Sequence, residues 1–181
     1  MNRCTGQIRQ MRSTDLRRVA DIWLRVSISE YAFVCEHTGQ TSEQFWGSKL
    51  VQMILDTLAV DGYAIEVDGQ IAGFTTFDPT NGYIYDLFAD FPYQHKGIVG
   101  PALINLAKSL RPYIWVTVYQ KKVEAIGFYE SQGFLTTDIR PPEPGTHQIK
   151  VKMEWWKAGE SPDSCHPQRI LDTEDNDIGS R

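Results

Sequence analysis

Residues 94–100 (QHKGIVG) have the composition of an anion-binding loop. They follow an aromatic and β-branched run that suits a buried strand, and they precede apolar residues at helical spacing. A glycine-containing loop that enters a helix leaves backbone N–H groups unpaired, and the helix dipole adds partial positive charge at the same place. The loop therefore suits a phosphate or pyrophosphate, with His95 and Lys96 as further donors. Alternatively, Gly97 and Gly100 serve only to shape a strand-to-helix turn.

The segments around this loop predict one α+β domain. The apolar pattern and the turn signals give the element order β-α-α-β-β-β-α-β-α-β-β. The predicted strands are residues 7–11, 62–67, 70–77, 83–88, 113–118, 134–139 and 148–155, and the predicted helices are residues 15–25, 42–58, 101–110 and 124–132. Asp68-Gly69 predicts a hairpin, so strands two to four form an antiparallel meander. Strand five runs parallel to strand four because a helix connects them.

Several local features are predicted as well, and Thr41 or Ser42 is the expected N-cap of the second helix. Residues 27–40 are mixed in composition and suit a loop or a broken helix. Arg18 and Arg25 are expected to face water from the first helix, whereas Leu58 is expected to point inward from the second. The last strand, with Trp155 near its end, is a candidate edge strand for pairing between subunits.

Composition limits the class of protein. The chain has 181 residues and a hydrophobic content of 41%, which suits a single globular domain. Its formal net charge of -5, without a long Lys/Arg block, argues against nucleic-acid binding. No apolar run is long enough to cross a bilayer and the N-terminus does not resemble a signal peptide, so we expect a cytoplasmic protein. Cys4, Cys35 and Cys165 are widely scattered, which predicts reduced thiols and no metal site.

Two segments are similar to motifs of one enzyme family. Residues 87–98 (LFADFPYQHKGI) resemble the strand-four and acyl-CoA pyrophosphate motif of the GCN5-related N-acetyltransferase (GNAT) superfamily, whose core is Gln/Arg-x-x-Gly-x-Gly/Ala. Residues 125–134 (AIGFYESQGF) resemble the A-x-x-F-Y-x-x-x-G-F segment of the same family. The resemblance, to a small bacterial-type member, implies an α/β/α sandwich with a mixed, mostly antiparallel sheet of about seven strands, splayed between strands four and five. Residues 1–156 would form the acetyltransferase domain, and residues 157–181 are expected to be a disordered acidic tail.

The resemblance also implies acetyl-CoA as the acyl donor and a set of residues that bind it. The pantetheine arm would lie along strand four, and the pyrophosphate would lie against the loop. The implied cofactor-binding residues are Leu87, Phe88, Ala89, Gln94, His95, Lys96, Gly97, Ile98, Val99, Gly100, Lys122 and Phe128. Two positions depart from the family pattern. Val99 occupies the second glycine position, with Gly100 one residue later, and Lys122 replaces the usual asparagine.

The same resemblance implies that Tyr129 is the general acid that protonates the departing CoA thiolate. The alternative is that Tyr129 is a core aromatic that packs beside Phe128. For the general base, Asp86 on strand four is the first candidate, because it lies beside the implied thioester site. Glu36, His37 and a water molecule are the other candidates.

The predicted function is transfer of an acetyl group from acetyl-CoA to a primary amine of an unidentified small molecule, peptide or protein, by direct attack on the thioester. The candidate acceptor-binding residues are Trp23, Ser27, Tyr31, Phe33 and His147. One alternative is a non-catalytic acyl-CoA-binding module, and another is a toxin-type acetyltransferase that acts on aminoacyl-tRNA. The acidic balance counts against the second, because RNA contact usually leaves a positive face. The chain is expected to be a monomer or a homodimer without membrane contact.

Overall fold

A computed structural model describes residues 6–142 and 146–159 of the chain. The strands are β1 (Gln7–Gln10), β2 (Asp61–Val67), β3 (Gln70–Asp78), β4 (Tyr83–Ala89), β5 (Tyr113–Tyr119), β6 (Leu135–Arg140) and β7 (Lys150–Trp156). The helices are α1 (Leu16–Glu30), α2 (Ser42–Ala59), α3 (Val99–Leu110) and α4 (Val123–Ser131), and short 3-10 helices lie at Ser13–Asp15, Ala32–Cys35 and Phe91–Tyr93. The seven strands pair in one sheet of order β1-β2-β3-β4-β5-β7-β6.

Helices cover both faces of this sheet, which makes the fold an α/β/α sandwich. On one face, α1 and α2 pack against Ala64 and Phe74 of the sheet. On the other face, Ile104 of α3 and Tyr129 of α4 belong to a cluster that includes Val116 of β5. The predicted α+β fold with a mixed, mostly antiparallel sheet is confirmed.

The β2–β3–β4 meander and the start of α2 follow local sequence signals. All neighbouring strands in this part of the sheet pair antiparallel. Asp68 and Gly69 join β2 to β3 with φ values of 52° and 75°, the left-handed conformation that a two-residue hairpin turn needs. Thr41 caps α2, because its side chain accepts a hydrogen bond from the backbone N–H of Gln44. Both predictions are confirmed.

Strands β4 and β5 are parallel neighbours that separate almost at once. Their pairing consists of one residue pair, Tyr83 with Trp115, and the Trp115 N–H donates to the Gly82 carbonyl at 2.9 Å. On its other side, β5 pairs with β7 along its whole length, from Tyr113 to Tyr119. The splay that was predicted between strands four and five is therefore present, and it leaves a gap in the middle of the sheet.

The last strand is not an edge. β7 lies between β5 and β6, so the prediction that Trp155 and its strand form a free edge is wrong. The reason is burial: β7 carries the buried Val151 and Met153, whereas every residue of β6 is exposed. The register of β6 shifts between Thr136 and Asp138, and such a bulge at an edge disfavours pairing with another sheet.

Three further local predictions need correction. α1 continues to Glu30, and the break follows only at the 3-10 helix Ala32–Cys35. Leu58 is 60% exposed, because it lies on the outer side of α2. Arg18 and Arg25 do not simply face water. Both pair with the Asp90 carboxylate, which the end of β4 brings against that side of α1.

No helix within residues 6–142 and 146–159 is both long and apolar enough to cross a bilayer. Residues 160–181, most of the predicted tail, lie outside the described residues. All the helices and strands described above end at or before Trp156.

Gly82 lies where β4 approaches β5, and we expect Gly82→Ala to destabilise the fold. Gly82 has a φ of 78°, and a Cβ there would overlap the Tyr113 carbonyl. The free energy of unfolding, measured by urea titration, should fall by about 2–4 kcal/mol. Gly39→Ala is the matched control, because Gly39 has a φ of 71° but open space around it. The free energy of unfolding of Gly39→Ala should fall by only about 1 kcal/mol. Equal decreases in the two variants would contradict the steric argument.

Candidate active site

Two cavities meet at the gap between β4 and β5. We call the first the sheet cavity. It has a volume of about 270 Å³ and is lined by Trp23, Ser27, Tyr31, Trp46, Tyr83, Tyr85, Asp86, Leu87, Phe88, Val116, Thr117, Val118, Tyr119, Ala125, Phe128, Tyr129 and Lys150. We call the second the loop cavity. It has a volume of about 400 Å³ and is lined by Val26, Glu30, Tyr31, Leu87, Phe88, Ala89, Tyr93, Gln94, His95, Gly97, Val99, Gly100, Pro101, Lys122, Glu124, Ala125 and Phe128. Tyr31, Leu87, Phe88, Ala125 and Phe128 line both cavities, so the two adjoin there.

A bulge in β4 brings Asp86 into the sheet cavity. Phe77 of β3 pairs with Ile84 of β4. The residue before it in β3, Thr76, pairs with Asp86, so Tyr85 has no opposite residue. Asp86 consequently lines the same cavity as Tyr83. Regular alternation along a strand would place these two side chains on opposite faces. A bulge has no periodic signature, and the sequence analysis did not predict it.

Asp86 is a half-buried carboxylate in the wall of the sheet cavity. Its Oδ2 accepts a hydrogen bond from the Thr76 hydroxyl at 2.8 Å. Burial raises the pKa of Asp86 to about 6, although hydrogen bonds from the side chains of Thr76 and Trp23 act to lower it. A carboxyl group with a pKa in this range takes up and releases a proton near neutral pH, as a general base must.

Tyr129 of α4 is both a core residue and a cavity residue. Its ring packs against Phe128 and Phe134, each at a centroid distance of 5.2 Å, and its side chain lines the sheet cavity. In the part of the chain that the structure describes, its hydroxyl has no hydrogen-bond partner. Burial raises the pKa of Tyr129 above the ordinary range of a phenol. The hydroxyl therefore stays protonated and can donate to a group in the cavity.

The loop before α3 has the backbone conformation of an anion-binding loop. His95 and Gly97 have positive φ values of 58° and 68°, and α3 begins at Val99. Among the described residues, no protein group accepts a hydrogen bond from the backbone N–H groups of residues 96–100. Unpaired N–H groups and the positive end of the helix dipole make this side of the loop cavity suitable for a phosphate.

Val99 and Gly100, where the sequence departs from the family motif, have different surroundings. Val99 is buried, and its Cγ1 fills the space beside Gly73 in the core. A Cβ on Gly100 would lie 2.8 Å from the ring of Phe128, closer than carbon atoms approach. Gly100 is thus the residue that must be small, because it lets α3 approach α4 at the cavity.

Two polar side chains among the predicted cofactor-binding residues donate hydrogen bonds to other groups of the protein. Gln94 Nε2 donates to the Ala89 carbonyl at 3.0 Å, which ties the loop to the end of β4. Lys122 Nζ donates to Glu30 at 3.0 Å and lies 5.3 Å from the centroid of the Tyr31 ring. Lys122 nevertheless lines the loop cavity, so a bound phosphate would share this ammonium group with Glu30.

A buried carboxylate at the end of β4 fixes where the loop begins. Asp90 accepts hydrogen bonds from Arg18, from Arg25 Nη2 at 3.0 Å and from the backbone N–H of Phe91 at 2.9 Å. Its own N–H donates to the Ala72 carbonyl at 2.9 Å. Because both arginines belong to α1, this network couples α1 to the loop. The sequence analysis missed it, since a single aspartate after a strand does not indicate partners far away in the chain.

The structure brings most of the predicted site residues to the two cavities. Of the predicted cofactor-binding residues, the loop cavity includes Leu87, Phe88, Ala89, Gln94, His95, Gly97, Val99, Gly100, Lys122 and Phe128. The sheet cavity includes the predicted catalytic and acceptor-binding residues Trp23, Ser27, Tyr31, Asp86 and Tyr129. Lys96 and Ile98 line neither cavity. Lys96 lies over the ring of Tyr93, and Ile98 packs against the core.

Two predicted acceptor-binding residues also lie outside the cavity linings. Phe33 packs against Tyr119, with ring centroids 5.6 Å apart. His147 is exposed, and its ring centroid lies 5.2 Å from that of His37. Glu36, another candidate base, is exposed and pairs with a lysine. None of these four residues lines either cavity.

Comparison with known proteins decides the family. Residues 36–155 match the family model of the acetyltransferase (GNAT) domain. The chain belongs to the GNAT acetyltransferase family. It is 24% identical over 133 residues to the peptidyl-lysine N-acetyltransferase YiaC of Escherichia coli (strain K12), a match that covers 72% of this chain and 84% of that protein. The family predicted from the two sequence segments is thus confirmed.

Solved structures of other proteins support the same fold. Apo YjaB of Escherichia coli has a TM-score of 0.68 at 20% identity, over 85% of this chain and 99% of that chain. YncA of Salmonella typhimurium, in a structure with acetyl-CoA, has a TM-score of 0.59 at 17% identity, over 89% of this chain and 99% of that chain. As a GNAT acetyltransferase, the protein is an enzyme that uses acetyl-CoA, as predicted.

The described residues fit acetyl-CoA. The loop offers unpaired N–H groups for the pyrophosphate. The gap between β4 and β5 leaves a strand edge against which the amides of a pantetheine arm would pair. Leu87, Phe88 and Phe128, at the boundary of the two cavities, would surround the thioester with apolar groups.

We expect Gly97→Glu to weaken CoA binding, because it adds bulk and negative charge beside the N–H groups of the loop. A Cβ at Gly97 would meet no atom within 4 Å, so Gly97→Ala is a control that changes only the backbone preference. By isothermal titration calorimetry, the glutamate variant should bind CoA about tenfold more weakly than the alanine variant. Equal affinities of the two variants would mean that the phosphates lie elsewhere.

Proposed function

We propose that this protein transfers the acetyl group of acetyl-CoA to a primary amine by direct attack, with Tyr129 as the general acid and Asp86 as the general base. One observation carries the proposal. The Tyr129 hydroxyl, without a partner among the described residues, and the Asp86 carboxylate line the same cavity, next to the boundary with the loop cavity. An acid and a base are thus available on either side of a reacting centre.

The proposed step transfers one acetyl group and moves two protons. Acetyl-CoA supplies the acetyl group as an activated thioester. The nitrogen of the neutral amine forms a bond to the acetyl carbon, and the bond from this carbon to sulfur breaks. Asp86 accepts the proton that the nitrogen loses, and Tyr129 donates its phenolic proton to the sulfur. Solvent then returns both side chains to their starting protonation states.

Desolvation affects both proton transfers. Burial raises the pKa of Tyr129, and a thiolate that leaves into the same apolar surroundings is desolvated too, which raises the pKa of its conjugate acid. The pKa values of the phenol and the thiol therefore shift in the same direction. On the other side, burial lowers the pKa of an ammonium group while it raises the pKa of Asp86, so the amine and the carboxylate move toward each other in proton affinity.

The acceptor is proposed only as a class. A lysine side chain of a peptide is one primary amine to consider, supported by the similarity to the peptidyl-lysine N-acetyltransferase of Escherichia coli. Aminoacyl-tRNA as acceptor finds no support in the formal net charge of -5. The non-catalytic alternative is set aside, because the chain belongs to a family of acetyltransferases.

We expect Tyr129→Phe to lower kcat by about a hundredfold or more, because the sulfur loses its proton donor. The Kd for CoA should stay within about twofold, since the ring keeps its contacts with Phe128 and Phe134. Thiol release and calorimetry would measure the two quantities. Tyr63→Phe removes a phenol hydroxyl from β2, outside both cavities, and serves as the control. Unchanged turnover with weakened CoA binding would refute the acid role.

The pH dependence of kcat/KM tests Asp86. Below a pKa of about 6 the carboxyl group is protonated and cannot accept a proton, so kcat/KM, calculated for the neutral form of the amine, should fall about tenfold per pH unit in that range. Asp86→Asn should abolish this acidic limb and lower the plateau by about a hundredfold. Asp138→Asn, at an exposed position of β6, should keep the wild-type profile. An acidic limb that persists in Asp86→Asn would assign the base to another group.

A further inference from the structure

The segment that joins β4 to α3 has two anchors of different kinds. At its α3 end, Val99 belongs to a buried hydrophobic cluster and Ile98 packs against it, so this anchor needs no charge. At its β4 end, the Asp90 carbonyl accepts a hydrogen bond from the Tyr93 N–H at 2.8 Å, which closes the 3-10 helix that leads into the loop. The loop that suits a phosphate lies between the two anchors, so its position depends on both.

The anchor at β4 depends on two arginines of α1. The side chain of Asp90 is only 4% exposed. Its Oδ2 accepts a hydrogen bond from Arg18, and its Oδ1 accepts one from Arg25 Nη2 at 3.0 Å. Arg25 also lies 5.8 Å from the ring centroid of Phe91, the first residue of the 3-10 helix. A carboxylate this buried requires compensation of its charge, so the two arginines hold the start of the loop against α1.

A second carboxylate contacts the same two arginines on the solvent side. Asp21 of α1 accepts hydrogen bonds from Arg18 at 2.8 Å and from Arg25 at 3.0 Å. Its side chain is 47% exposed, whereas that of Asp90 is buried. Of the two carboxylates, only Asp90 belongs to the segment that leads into the loop. The pair therefore allows the charge of the network to be changed with or without a change at the loop.

We propose that Asp90 is a positioning residue for CoA. Its ion pairs with α1 hold the start of the loop where the backbone N–H groups of residues 96–100 meet the pyrophosphate. Asp90 lines neither cavity, so it acts through the backbone of the loop and not by contact with the ligand. The inference concerns binding of the acyl donor and does not depend on the proton-transfer roles of Tyr129 and Asp86.

The sign of the effect separates positioning from simple electrostatics. Loss of the Asp90 charge removes an anion from the neighbourhood of the pyrophosphate and leaves two guanidinium groups with less compensation. By Coulomb attraction alone, CoA would then bind more tightly. If Asp90 positions the loop, the N–H groups are no longer held in place, and CoA binds more weakly instead.

Asp90→Asn tests the inference, because asparagine keeps an oxygen for the N–H of Phe91 but removes the charge. By isothermal titration calorimetry, its Kd for CoA should rise about tenfold. Asp21→Asn is the matched control and should keep the wild-type Kd within about twofold. Thermal unfolding of each variant fixes a temperature at which all of them are folded. In a Gly97→Glu background the loop no longer receives the pyrophosphate, so Asp90→Asn should change the Kd by less than about twofold there.

Three results would overturn the positioning role. The first is an unchanged or lower Kd for CoA in Asp90→Asn, and the second is an equal rise in Asp21→Asn. The third is a tenfold effect of Asp90→Asn that persists in the Gly97→Glu background, since Asp90 would then act outside the loop. If Asp90→Asn does not fold, Arg25→Gln gives the answer: its Kd should rise about threefold, and Arg25→Lys, which keeps the charge, should restore most of the affinity.

Discussion

Strands β4 and β5 share one residue pair and then part, and the rest of the site depends on that separation. A continuous sheet would satisfy its own backbone groups and leave no space between the two halves of the domain. The parted strands open a gap at which two cavities adjoin. The gap is held open from both sides. β7 occupies the far edge of β5, and the Asp90 network with Arg18 and Arg25 anchors the end of β4 to α1.

Desolvation then sets the chemistry that the gap allows. The same apolar surroundings raise the pKa of both Asp86 and Tyr129, but the consequences differ. The raised pKa of the carboxyl group lets it exchange protons near neutral pH, whereas the raised pKa of the phenol keeps the hydroxyl protonated. Under the proposed function, a carboxylate that can accept a proton and a phenol that can donate one suit a reaction that moves one proton off nitrogen and another onto sulfur.

Several features could be predicted from the sequence because each depends on neighbours in the chain. The Asp68-Gly69 turn, the Thr41 cap and the loop before α3 each depend on conformational preferences of a few residues. The two family motifs lie in such continuous segments, and the loop cavity is therefore lined by most of the residues that the motifs implied. The parallel pairing of β4 and β5 followed as well, since a helical connection between neighbouring strands requires it.

Other features were decided only by the tertiary structure, because they depend on which distant groups meet. The bulge at Tyr85, which turns Asp86 into the cavity, arises from pairing with β3 and has no periodic trace. β7 lies between β5 and β6 because this position buries Val151 and Met153. The order of the strands along the chain does not indicate this position in the sheet. Lys150 of β7 and Asp86 of β4 line one cavity because the sheet order brings their strands to either side of β5. The sequence thus determined the family and the loop, whereas long-range packing decided which side chains line the sheet cavity.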